Sequence, residues 1–486
     1  MIKPILIFTV LAAAAVAQEP DASFRGMVRY NKAPVSNDVL KVKLPRPVEQ
    51  KLSNGLRLLV LESNRSQTIT LTISIPSSRL RDSEATSGVA EATATLITMG
   101  TATRTSRQIS EALADLGASV SFGAGGGGGG GRGGGGGAGG DGTITVSALA
   151  ENFDAALAIL TDILLHPSFP KEELERWRGR QRSALEQART NPGTLSNEKL
   201  MGVLYPNDGR RLTRLTPEAL DKITREEIVE HYKKFYVPSG ELAGITGPIS
   251  AKDAVAKLEK ALGGWKGGPV APVKLTAEAP IAEKKVYLIS RPGSVQTDIT
   301  LANRAIERTS PDYIACMVMN QVLGSGPAAR LFRIIREEKG YTYGVSSSFS
   351  ASKTAQHFSS SMSVRTEVTE PALADLLKEF KEIRDVVVPK DELEGAKRTL
   401  VANFALRLES PASVLSYWIL QREFGLPEDY WDKYPERVMA VTPADVQRVA
   451  KKYVPYDNVQ IIAVGDGQKI RDSLKKFGTV VESTVD

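Results

Sequence analysis

FPKEELERWRGRQ, residues 169–181, comes back as VPKDELEGAKRTL at residues 388–400. A second string, KITREEIVEHYKKFYVPSGELAGITG (222–247), returns as AVTPADVQRVAKKYVPYDNVQIIAVGD (440–466). Both pairs keep an offset of about 218 residues, far longer than a solenoid period, so the chain reads as one domain duplicated in tandem. Each copy runs strands, helix, helix, hairpin strands, helix pair, last helix and strand, which predicts an α+β fold. Each is expected to form an antiparallel sheet with helices packed on one face.

The elements around these strings fit that reading. VEQKLSNGLRLLVLES (48–63) turns at Asn54 and Gly55 into alternating apolar residues, and TITLTISIPS (68–77) alternates cleanly from Ile69 to Ile75. Helices are expected over VAEATATLITMG (89–100) and SRQISEALADLG (106–117), the latter with Ser106 as N-cap and Gly117 as its stop. Amphipathic helices follow over 151–165 and from Lys171 to about Thr190. Residues 262–280, LGGWKGGPVAPVKLTAEAP, lose all periodicity and read as the interdomain linker. The first domain is then 46–261 and the second 281–486.

At the N-terminus, MIKPILIFTVLAAAAVAQEP has Lys3, an apolar run and the small-residue end Ala15, Val16, Ala17. This reads as a cleaved signal over residues 1–17, implying a secreted or periplasmic protein with no membrane span after cleavage. An extended arm is expected over 18–45. Residues 123–142 are almost pure glycine and cannot offset their ordering entropy, so they read as a flexible insertion between strands. They lack the Lys-Ser/Thr ending of a phosphate loop. The single cysteine, Cys316, excludes an intrachain disulfide, and the scattered charge, formally +6, makes no nucleic-acid stripe.

One stretch carries chemistry. GSGPAARLFRIIREEKGYTYGVSS (324–347) places Leu331, Ile334 and Ile335 at helical spacing, ends the helix at Gly340, and continues into a strand where Tyr341, Tyr343 and Val345 alternate with Thr342, Gly344 and Ser346. Arg336 and Tyr343 fall seven residues apart across this junction. A guanidinium and a phenol held there can both donate hydrogen bonds to one carbonyl oxygen. The same residues also fit a structural role, with Arg336 paired to a carboxylate and the tyrosines packing a sheet.

Taken together, NGLRLLVLES, RTSRQISEALADLGASVS, DYIACMVMNQVLGSGPAARLFRIIREEKGYTYGVSS and the repeated VPKDELEGAK element resemble the pitrilysin or insulinase family of zinc metallopeptidases, processing peptidases included. The resemblance implies two domains closing like a clamshell. Active members carry H-x-x-E-H on the first domain's first helix and a distal glutamate. Here Glu91 stands at the first histidine position, Ala94 at the base and Thr95 at the second histidine, with Glu186 near the distal position. The resemblance therefore implies no zinc in this chain. Neither His166, His231 nor His357 has a second histidine within a helical turn to rebuild a site.

Arg336 and Tyr343 do match the family's second-domain pair, which holds substrate carbonyls. The implied role is a zinc-lacking subunit that positions a peptide or unfolded polypeptide for a zinc-bearing homologous partner. A non-enzymatic peptide-binding or scaffold protein of the same fold is the alternative, and a stand-alone peptidase with another metal arrangement is a third.

Overall fold

The computed structural model describes residues 38–125, 140–212, 215–238, 240–354 and 356–484. The expected signal segment, most of the arm and the middle of the glycine-rich insertion lie outside these residues. The first half contains β1 (Val48–Lys51), β2 (Arg57–Glu62), β3 (Thr68–Ile75), α1 (Val89–Leu96), α2 (Ser106–Asp115), β4 (Ser119–Gly123), β5 (Gly142–Leu149), α3 (Phe153–Leu165), α4 (Lys171–Thr190), α5 (Pro192–Leu204), α6 (Pro217–Lys222), α7 (Arg225–Phe235), β6 (Leu242–Gly247) and α8 (Ala251–Leu262). The second contains β7 (Lys285–Ser290), β8 (Gln296–Arg304), α9 (Tyr313–Leu323), β9 (Thr342–Ala351), β10 (Gln356–Arg365), α10 (Thr369–Asp385), α11 (Lys390–Arg407), α12 (Pro411–Phe424), α13 (Tyr434–Ala440), α14 (Pro443–Tyr453), β11 (Gln460–Gly465), α15 (Gly467–Leu474) and β12 (Thr479–Thr484).

The strands form two six-stranded sheets, ordered β1-β2-β6-β3-β5-β4 and β12-β7-β11-β8-β10-β9. Five strands of each sheet occupy matching places, as a duplicated domain requires. The sheets are mixed, where the alternation predicted antiparallel pairing throughout. β6 enters between β2 and β3, which run oppositely, so it lies parallel to β2 and antiparallel to β3. β11 is parallel to β7 for the same geometric reason. The alternating residues of β3 behave as read, with Ile69, Leu71, Ile73 and Ile75 all buried. One cap differs: the α2 N-cap is Thr105, in a reciprocal capping box with Gln108, and Ser106 is the first helical residue.

Each half packs its own helices against one sheet face, making two separate apolar cores. The opposite faces were expected to be free of helices, but each is partly covered by a helix from the other half. α5 lies on β8 and β11, where Leu195, Leu200 and Leu204 meet Ile462 and Val464. α12 lies on β2 and β6, where Leu415 and Trp418 meet Leu59, Leu61 and Leu242. The consequence is visible in sequence: β6 (LAGITG) and β11 (QIIAVG) are buried at all six positions and do not alternate. Gly244 lets α12 approach, since a Cβ there would stand 2.7 Å from Ile419 Cδ1.

From Leu40 onward the described residues form one compact unit. The described end of the arm is fastened to the second half: Leu44 N donates to Asp432, and Pro45 O accepts from Trp418 Nε1 at 2.9 Å. Beyond the reach of α5, the open face of β9 and β10 is lined with serine, Ser346 and Ser348 standing opposite Ser361 and Ser359.

Candidate functional site

Arg336 and Tyr343 sit where the second half's sheet ends at edge strand β9. The segment before it, Phe332–Glu338, is a π-helix and not the α-helix its apolar spacing predicts. Lys339 N donates to Ile334 O, five residues back, and the turn closes at Gly340 in the left-handed region with φ +63°. The apolar positions still do their work: Leu331 and Ile335 are buried, while Glu337 and Glu338 remain exposed.

The strand that follows also departs from simple alternation. Val345 pairs with Met362 and Thr342 with Val364, so Tyr343 and Gly344 together oppose Ser363 in a β-bulge. The bulge separates residues expected on one face: Val345 turns into the core, whereas Tyr343 is 91 % exposed. Tyr341 packs partly against the core, leaving Tyr343 as the strand's outward phenol. The Arg336 guanidinium lies 5.5 Å from the centroid of that Tyr343 ring. Glu337 Oε1 stands 3.9 Å from Arg336, beyond hydrogen-bond reach. The arrangement is two adjacent, solvent-facing donors not consumed by packing.

The positions read as replaced zinc ligands lie on α1 and α4. Glu91 Oε2 accepts from Arg79 Nη2 at 2.7 Å, so its carboxylate is already engaged by a fixed cation. Ala94 is buried, Thr95 offers no imidazole, and Glu186 is exposed on α4. These residues do not fit a zinc ion: an alanine and a threonine stand where the metal's chemistry needs a base and an imidazole, and the carboxylate is paired with Arg79. Among the described residues no group of three or more His, Cys, Asp or Glu side chains is gathered to hold a metal.

The three histidines have other surroundings. His231 Nε2 lies 3.0 Å from Ser77 Oγ, and burial holds its pKa down at about 4. Burial does the same to His357, and His166 is exposed beside Asp162. Two carboxyls, one buried and one half-buried, move the other way. Asp82, which accepts from Gly88 N and Ala90 N at the start of α1, is pushed up to about 7 by burial. Glu241 is pushed up to about 7 by burial and by Asp141, against the pull of Lys353 and Arg81. This second group joins residues from both halves, a juxtaposition that no local motif signals.

Residues 222–400 match the family described as Peptidase M16 inactive domain. That stretch contains Arg336 and Tyr343 and leaves out Glu91, Ala94, Thr95 and Glu186. The chain is similar to a Bacillus subtilis protein named Uncharacterized zinc protease YmxG, at 23% identity, covering 75% of this chain and 85% of that one. It is likewise similar to a Helicobacter pylori protein named Non-peptidase homolog YmxG, at 23% identity, covering 67% and 75%. In fold it matches the crystal structure of the peptidase M16 inactive domain from Pseudomonas fluorescens, with a TM-score of 0.77 at 24% identity, covering 86% of this chain and 98% of that chain.

Proposed function

We propose that this chain, an inactive-type relative of the M16 metallopeptidases, is the zinc-lacking subunit of a two-chain peptidase. Its task is to hold the substrate. Arg336 and Tyr343 donate hydrogen bonds to the carbonyl oxygen of the scissile or a neighbouring peptide bond, and a homologous partner chain supplies the zinc and the base. The observation that carries this reading is the adjacency of an exposed phenol and a guanidinium at the open end of β9, in a chain whose metal positions hold Glu91, Ala94 and Thr95.

The chemistry follows from charge. As a nucleophile attacks, the carbonyl oxygen gains negative charge, and donors already aimed at it stabilise that state more than the ground state. The guanidinium carries a permanent charge and the phenol a single directed O–H. Fixed donors of this kind are worth roughly 3–4 kcal/mol each. We place this assembly outside the cytoplasm, on the strength of the N-terminal leader pattern.

The test is turnover of an unstructured peptide by the purified chain mixed with the H-x-x-E-H-bearing homologue from the same organism. Tyr343→Phe should lower turnover about a hundredfold at unchanged complex formation. Unchanged turnover would refute the role. The Helicobacter pylori relative's name, a non-peptidase homolog, favours a second reading: a peptide-binding or scaffold protein. That reading predicts no hydrolysis with any partner.

A further inference from the structure

Two neighbours of the donor pair have the geometry of tools that aim it. Phe332 lies one helical turn before Arg336, and the guanidinium carbon is 4.5 Å from the centroid of its ring. With the Tyr343 ring at 5.5 Å, the guanidinium rests against two aromatic rings. Aromatic rings hold the cation without offering it an acceptor oxygen, so its N–H donors are not taken up by a carboxylate. A carboxylate partner would do the reverse, orienting the group by occupying the donors that a substrate carbonyl needs. Glu337, at 3.9 Å, does not occupy them.

Thr342 performs the matching task for the phenol. Its Oγ1 lies 2.6 Å from Ser363 O across the bulge and 2.9 Å from Gly344 O, and it accepts from Gly344 N at 3.1 Å. One hydroxyl thereby ties both strands of the bulge that turns Tyr343 outward. Regular alternation without the bulge would put Tyr343 on the same face as buried Val345.

We propose that Phe332 and Thr342 are positioning residues for the Arg336–Tyr343 pair: an aromatic ring sets the plane of the guanidinium, and a threonine hydroxyl fixes the bulge that presents the phenol. The proposal rests on the carbonyl-holding role given to that pair above. It also names what should vary least around the pair if the geometry is used: an aromatic side chain at 332 and a β-hydroxyl at 342.

The experiment has one readout on the single chain and one in the mixed complex. On the single chain, the Arg336 Nε–Hε NMR cross-peak carries the ring-current shift of the neighbouring rings. Phe332→Leu should move this peak toward the free-arginine position, and Phe332→Tyr should leave it in place. In the mixed complex, Phe332→Leu and Thr342→Val should each lower kcat on the unstructured peptide at least tenfold. Phe332→Tyr and Thr342→Ser should restore it to within about threefold of the parent chain. Melting temperature, followed in all four variants, separates loss of folding from loss of aim.

A cross-peak unmoved by Phe332→Leu would overturn the ring contact. If the peak moves and kcat does not, while Arg336→Ala still abolishes turnover, the positioning role is wrong and the pair's role stands. If Arg336→Ala has no effect either, both readings fall together.

Discussion

Glu91 stands at the position read as a first metal ligand, and the fold gives it another partner. A carboxylate at the first ligand position could still hold a cation, but the cation it holds is Arg79, from twelve residues earlier in the chain. Both side chains are about one-third exposed, so this pair contributes little to stability, and its effect is to satisfy the charge in place. The buried carboxyls matter more for the fold. A carboxyl whose pKa is raised on folding binds its proton more tightly in the native state, so stability falls as pH rises from about 4 to about 7. Asp82 and Glu241 both fall in that window. His231 and His357, pushed down to about 4, act oppositely: their contribution is lost as pH falls from about 6.5 toward 4. Glu241→Gln should therefore raise the melting temperature at pH 8 by a few degrees and change it little at pH 5, as read by calorimetry. A lower melting point at pH 8 would show that Lys353 and Arg81 outweigh burial at this carboxyl. The sequence could expose the Arg336–Tyr343 spacing because seven residues of local structure determine it. The surroundings of Glu241 come from Asp141, Lys353 and Glu423, which only the folded chain brings together.

At the scale of elements, the two halves are joined by exchange. α5 and α12 each leave their own half and cover the other's sheet, and this escaped the sequence reading for a physical reason. Their apolar residues are spread around the helix instead of along one stripe, because each helix meets more than one surface. The local signal was present in the caps. Asn191-Pro192 and Ser410-Pro411 each start a helix with a capping side chain and a proline at the first turn, at matching points of the two copies. The π-helix and the bulge were equally invisible: each inserts one residue into a periodic element, and periodicity is the signal from which elements are read. The seam between α12 and β6 is testable at Gly244. Gly244→Val would place side-chain atoms inside Ile419 and Leu415, at a cost of about 1–3 kcal/mol, seen as a lowered melting temperature. Ile419→Ala in the same chain should recover part of the loss, since the two positions touch. Equal losses that simply add would show that the seam does not depend on this approach.

Across the whole molecule, the duplicated architecture was legible because its two copies still share strings such as FPKEELE and VPKDELE, and the sheet orders agree with that reading. Within it the halves have diverged in chemistry. The first carries Glu91, Ala94 and Thr95 at the positions read as metal ligands and base, and the second presents two donors at the exposed edge of its sheet. On the function proposed above, such a chain holds one part of a peptidase's machinery, and the activity is that of the assembly. It follows that the purified chain alone should bind no stoichiometric zinc by elemental analysis and should leave an unstructured peptide intact, and stoichiometric zinc would point to a metal arrangement of its own. The most direct test compares the H-x-x-E-H-bearing homologue alone, with this chain, and with its Arg336→Ala variant, measuring kcat on one labelled unstructured peptide. The account predicts that adding this chain raises kcat about a hundredfold and that the variant assembles with the homologue yet gives almost none of that gain; a homologue equally active alone, or a variant as effective as the parent, would contradict it.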